Sequence, residues 1–115
     1  MEANPQDLRR AADIFKVLSH PSRLRIVCRL FDSQPTTQKE LVRDLGWPQS
    51  SVARHLAELR SVGLLKATRQ GSEVLLEIAS PVAGELMTAV CDWVHPETGE
   101  KFSAKYDPFA AQEKR

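Results

Sequence analysis

Gln49, Ser50, Ser51 and Arg54 place an amide, two hydroxyls and a guanidinium on one short segment. These groups suit hydrogen bonding to base edges and phosphate oxygens rather than making and breaking covalent bonds. Arg60, Lys66 and Arg69 follow. From Arg54 to Gln70 the chain carries four Lys or Arg and one Glu, a local net charge of +3 in a molecule whose total is +1. With sixteen basic and fifteen acidic residues, whole-molecule attraction to a polyanion is excluded, so nucleic-acid binding must rest on this cluster. An enzyme is not expected. The chain lacks a glycine-rich phosphate loop, a G-x-S-x-G nucleophile motif and paired carboxylates in an apolar setting. Ser50 and His55, five positions apart on one predicted helix, do not face each other.

Five helices and a hairpin are predicted to position these side chains. Leu8, Ala11, Ala12, Phe15 and Leu18 recur at helical spacing and define a first helix over Pro5–Leu18. Pro21 suits the first turn of a second helix, about Pro21–Phe31, with Leu24, Val27 and Phe31 on one face and Ile26 and Leu30 broadening it. Asp32–Thr36 reads as a loop. Thr37-x-x-Glu40 has capping-box spacing, and a short third helix carrying Leu41, Val42 and Leu45 stops at Gly46. A fourth helix, about 48–62, turns Val52, Leu56, Leu59 and Val62 inward and Gln49, Ser50, Ser51, Arg54 and Arg60 outward, ending at Gly63. Two short helices around a tight glycine-containing turn make a helix-turn-helix. Over about 64–78 the period changes on both sides of Gln70-Gly71-Ser72, predicting a two-stranded wing that carries Lys66 and Arg69. Ser80 and Pro81 open a fifth helix, with Val82, Leu86, Val90, Trp93 and Val94 as its apolar stripe and Pro96 after its end.

The fold class is therefore mainly α with a small β-hairpin. At 115 residues, 42% hydrophobic and 27% charged, the chain suits one globular domain over 1–95 and a polar tail over 96–115. In the tail only Phe102, Tyr106 and Phe109 offer docking groups. Apolar stripes on the first and fifth helices exceed what so small a core can cover, which predicts a second copy as partner through those helices. No secretory signal is evident, and the longest aliphatic run is far short of the ~20 residues of a spanning helix, so a cytoplasmic protein is expected.

Leu18-Ser19-His20-Pro21-Ser22-Arg23-Leu24-Arg25-Ile26, Gln49-Ser50-Ser51-Val52-Ala53-Arg54-His55-Leu56, Gly63-Leu64-Leu65 and Arg69-Gln70-Gly71 resemble the successive signatures of ArsR/SmtB bacterial transcriptional regulators. The likeness spans about Leu8 to Val94. It implies a homodimeric winged helix-turn-helix on an imperfect palindrome of operator DNA, usually a repressor released by an inducer. By position it places Gln49, Ser50, Ser51 and Arg54 in groove or phosphate contact and Arg69 at the wing tip.

The family's metal sites fall on unsuitable residues. Thr37 and Lys39 occupy the cysteine positions of E-L-C-V-C-D-L, and Ser80, Val82, Trp93 and Pro96 occupy the helix-5 ligand positions. A cofactor is left open: none, or a transition metal held by Cys91 and His95, four residues apart near Asp92, Glu97 and Glu100, with a second subunit completing the shell. Redox sensing needs an accessible thiol with a resolving partner; Cys28, on the apolar face of the second helix, reads instead as a core residue. His20 and His55 read as structural or phosphate-adjacent hydrogen-bonding groups. The alternatives are a winged protein-interaction module, or a regulator whose signal comes from an accessory protein or from the Cys91/His95 site.

Overall fold

A computed structural model describes residues 4–98. α1 spans Pro5–Leu18, and the Asp7 amide donates to the Asn4 side chain at 2.9 Å, satisfying one of the donors a helix start leaves open. α2, Pro21–Asp32, begins on His20, whose Nδ1 accepts from the Ser22 amide at 3.3 Å. α3, Gln38–Leu45, starts under Thr37, where the Glu40 amide donates to Oγ1 at 3.0 Å. Its end is Gly46 at φ 70, a left-handed conformation that costs a residue bearing Cβ about 1–2 kcal/mol. The Gly46 amide donates to the Val42 carbonyl at 2.9 Å, and α4, Gln49–Ser61, follows after only three residues.

β2, Leu65–Gln70, and β3, Glu73–Ile78, pair antiparallel from Leu65 opposite Ile78 to Gln70 opposite Glu73. The expected two-stranded wing is extended: β1, Thr36–Thr37, pairs with Leu76 and Leu75, giving a three-stranded sheet in the order β1-β3-β2. This corrects the loop expected at Thr36. Two residues are too few to show an alternating pattern, and Thr37 serves both the ladder and the cap of α3. The dual role welds the helix-turn-helix to the wing, because the start of α3 is fixed by hydrogen bonds to β3.

The core gathers Ile26, Val27 and Leu30 of α2, Leu41 and Leu45 of α3, Val52, Leu56 and Leu59 of α4, and Leu65 and Leu76 of the sheet. Trp47, buried in the turn, anchors the link between α3 and α4. Arg29 Nη2 donates to Asp44 Oδ2 at 2.6 Å, tying α2 to α3, and this guanidinium holds the Asp44 carboxyl below the ordinary carboxylate range.

α5, Val82–Val94, buries a different side from the one its stripe suggested. Ala83, Met87 and Cys91 form the buried row, Leu86 and Val90 are half-buried, and Val82, Trp93 and Val94 are exposed. Small residues let α5 approach: a Cβ on Gly84 would lie 3.3 Å from the Phe31 ring of α2. Its first turn also starts one residue later than expected, with Pro81 at the cap position and the Ser80 hydroxyl accepting from the Val82 amide at 3.2 Å. Along α1 only Val17 and Leu18 are buried, while Leu8 and Phe15 lie more than half exposed, at 62% and 61%. Cys28 is half-buried rather than a full core member. The docking groups Phe102, Tyr106 and Phe109, and Glu100 near the Cys91/His95 pair, lie outside the described residues. No helix among the described residues is long and apolar enough to cross a membrane.

Candidate nucleic-acid interface

The outer face of α4 is set by its inner one. With Val52, Leu56 and Leu59 pinned in the core, helical periodicity sends Ser50 and Arg54 to solvent, while Gln49 and Arg60 are exposed because they sit in the first and last turns; all four are exposed. Ser51 lies between the faces and is half-buried. Pro48 occupies the cap position and offers no capping hydrogen bond, so no side chain covers the first amides of α4, where the helix dipole favours an anion. Lys66 and Arg69 are exposed on β2, and Ser72 of the hairpin turn lines the same groove as Gln49 at the start of α4.

Between these elements runs an open groove. Thr37, Gln38 and Lys39 line it from the start of α3, Gln49 from α4, and Ser72 and Glu73 from the hairpin. The groove joins two helix starts and the wing in one surface. Lys39 and Gln38, which sequence reasoning passed over, belong to it; the signal available was their place in the first turn of a helix whose capping residue had been recognised.

His55 points the other way. It is 5% exposed, and its Nδ1 accepts from Arg23 Nε at 3.3 Å, while the His20 ring centre lies 4.8 Å away. The structure thus selects the structural alternative for His55 over phosphate contact. Burial is the main cause holding its pKa below the ordinary 6.5, followed by His20, Arg23 and Arg54, with Glu58 opposing.

Cys91 and His95 lie one turn apart, the His95 amide donating to the Cys91 carbonyl at 2.8 Å. Among the described residues no three potential ligands from His, Cys, Asp and Glu gather in one place. Cys91 is a buried free thiol on α5, which packs on α2 where Gly84 meets Phe31, and Cys28 is the half-buried free thiol of α2. Burial raises the Cys28 pKa most, Cys91 adds to the rise, and Arg25 counters it.

A helix-turn-helix whose second helix lies exposed and is followed by a β-hairpin is the architecture of a winged-helix DNA-binding domain. Comparison with known proteins identifies the group. Residues 20–67 match the bacterial regulatory protein, arsR family. The chain is 33% identical over 81 residues to the HTH-type transcriptional regulator YgaV of Escherichia coli, covering 70% of this chain and 82% of YgaV. The crystal structure of the transcriptional repressor PagR of Bacillus anthracis superposes with a TM-score of 0.68 at 30% identity, over 76% of this chain and 99% of PagR. The crystal structure of Rv0081 of Mycobacterium tuberculosis gives 0.71 at 29%, over 82% and 93%. The chain belongs to the ArsR family and is a DNA-binding transcriptional regulator, not an enzyme.

Proposed function

We propose that this regulator works in the cytoplasm as a homodimer on a palindromic operator, each copy placing α4 in a major groove and laying its wing along the flanking backbone. The domain over 1–95 supplies both functions, and 96–115 is an appended tail. Gln49 and Arg54 read base edges. Ser50, Ser51 and the open first amides of α4 hold phosphates, with Arg60, Lys66 and Arg69 supplying charge along the strand. The observation that carries this reading is the uncapped, exposed start of α4 beside a hairpin whose β2 strand exposes Lys66 and Arg69, in a molecule of almost balanced charge. Apolar side chains left outside the core on α1 and α5 support the dimer, and a two-fold pair sets its recognition helices about 34 Å apart, one turn of DNA. Repression by occupying the operator is the expected direction, as PagR is named a repressor.

The test is selection from a random duplex pool, followed by affinity measurements across salt. The logarithm of affinity should fall linearly with that of salt, with a slope of about −0.9 per phosphate neutralised. Arg54→Ala should weaken the selected operator by about 1–3 kcal/mol while leaving the melting temperature nearly unchanged. A binding partner that proves to be a protein, with salt-insensitive affinity and no selected duplex, would support the interaction-module alternative instead.

A second reading concerns the signal. Cys28 of α2 and Cys91 of α5 are both free thiols on helices that pack together at Phe31 and Gly84, which favours a thiol pair over a Cys91/His95 metal site. Two thiols oxidised by a hydroperoxide give one disulfide, an alcohol and water, joining a helix of the DNA-binding core to the exposed terminal helix. Arg25, one turn before Cys28, has Nε and Nη1 buried without an acceptor and lowers the Cys28 pKa, but burial and Cys91 outweigh it, so this thiol ionises less readily than a free one and oxidation should be slow. Peroxide treatment should change operator affinity in the parent and leave Cys91→Ser unaffected. Unchanged parent affinity after quantitative thiol loss would leave signalling to an accessory protein or a metal.

A further inference from the structure

The Arg23 guanidinium bridges two elements with separate tasks. Its Nη1 donates to the carbonyl of Val17 in the last turn of α1 at 3.2 Å, and its Nε donates to His55 Nδ1 on α4 at 3.3 Å. α1 carries exposed Leu8 and Phe15, and α4 carries the DNA-facing side chains. His55 lies between exposed Arg54 and buried Leu56, so a change in how it is held acts on the helix next to a groove-reading residue.

We propose that Arg23 and His55 are positioning residues for the recognition helix, and that the coupling holds only while His55 is neutral. The inference rests on the operator-binding reading. Accepting a hydrogen bond at Nδ1 requires an unprotonated nitrogen there, which places the proton of the neutral ring on Nε2. Protonation converts the acceptor into a donor aimed at another donor. It also sets a new cation against Arg23 of α2, against His20 just before α2, and beside Arg54 of its own helix, with only Glu58 in partial compensation. The contact with α2 is lost, and with it the strut from α1 to α4.

The sign follows from the neutral form being the one the fold favours. A histidine whose pKa is lowered in the folded state contributes fully above 6.5, and that contribution is lost as pH falls from 6.5 through the folded value. Ordinary electrostatics predicts the reverse for DNA affinity, since added positive charge strengthens attraction to phosphate. The two effects are separable by experiment.

Operator affinity of the full chain is measured by fluorescence anisotropy from pH 7.5 to 5.5 at fixed ionic strength, with His55 followed by its imidazole resonances. The parent should lose about tenfold in affinity over this range, about 1.4 kcal/mol. His55→Asn keeps an acceptor at the Nδ1 position without titrating, so its affinity should stay flat or rise slightly as pH falls. Arg23→Ala should bind more weakly at pH 7.5, and its His55 resonances should titrate closer to 6.5 than in the parent. In the parent the amide resonances of α4 should move with the His55 midpoint. The same acid loss in His55→Asn as in the parent overturns the proposal while leaving operator binding intact. So do α4 amides that ignore the His55 titration, a readout that survives even if His55→Asn fails to fold. A parent chain that selects no operator at pH 7.5 overturns the operator reading itself, and the positioning role with it.

Discussion

Leu30→Ala is expected to destabilise the domain by about 2–5 kcal/mol, the range for removing a fully buried leucine side chain and leaving its volume unfilled. Leu30 has no exposed surface and belongs to the central helix of the core, which packs against α1, α4 and β3. Its neighbours on α2, Ile26 and Val27, are equally committed, so the site has little freedom to collapse around the gap. Small domains hold about 5–15 kcal/mol in total, and 1 kcal/mol moves the melting point by about 4–8 °C near this size, so a fall of about 8 °C or more is expected. Leu8→Ala is the control. At 62% exposed, that leucine should change the unfolding of an isolated subunit by less than about 0.5 kcal/mol. Circular-dichroism melts at one fixed protein concentration compare the two, because association would make the melting point depend on concentration. Equal shifts for both variants would mean that the core is not centred on α2.

The contrast between Leu30 and Leu8 also marks how far the sequence could be read. Helical spacing located all five helices, and Pro21, Thr37 and Gly46 set their ends to within a residue or two, because these signals act locally: a missing donor, a side-chain acceptor, a left-handed residue. The outward side of α4 was legible for the same reason, since its inward row is large and unambiguous. Local spacing does not say which of two apolar faces meets the core. On α5 the row of Ala83, Met87 and Cys91 is buried although Val82, Trp93 and Val94 are individually more hydrophobic or larger, because Gly84 beside that row permits the close approach to Phe31. On α1 Leu8 and Phe15 likewise stayed outside, while Leu18 of the same stripe is buried. Tertiary pairing hid the rest. Nothing in Thr36-Thr37 announces a strand without β3 beside it, nothing in the spacing of Cys28 and Cys91 brings α2 to α5, and the His55 acceptor is matched by an arginine far back in the chain. The exposed side of α4 was therefore readable as a surface, while the contacts that hold the surface were not.

Phe15→Glu combined with Trp93→Glu should separate the proposed dimer and, through it, weaken operator binding about 1,000-fold. Phe15 is 61% exposed on α1 and Trp93 is 85% exposed on α5, beside the exposed Val94. Burying an aromatic side chain removes about 150–250 Å² from water, worth about 4–6 kcal/mol per ring at 25 cal/mol per Å², before the costs of association. Each glutamate instead brings a carboxylate that must be desolvated or must keep the surfaces apart, and two-fold symmetry doubles every change. The single subunit has little reason to unfold, since neither ring belongs to its core. Sedimentation equilibrium should show monomers at concentrations where the parent is dimeric, with the far-ultraviolet spectrum retained. On DNA the separated subunit presents one α4 where the palindrome needs two, so its affinity for the full site should drop towards the nonspecific range, while its affinity for a half-site should match the parent's. That pairing of results matters, because a general loss on both DNAs would indicate damage to α4 rather than to the dimer. Retained dimers in the double variant would move the interface elsewhere. Dissociated subunits that still bound the full palindrome at parental affinity would show that one copy suffices, and would remove the reason for α1 and α5 to leave so much apolar surface uncovered.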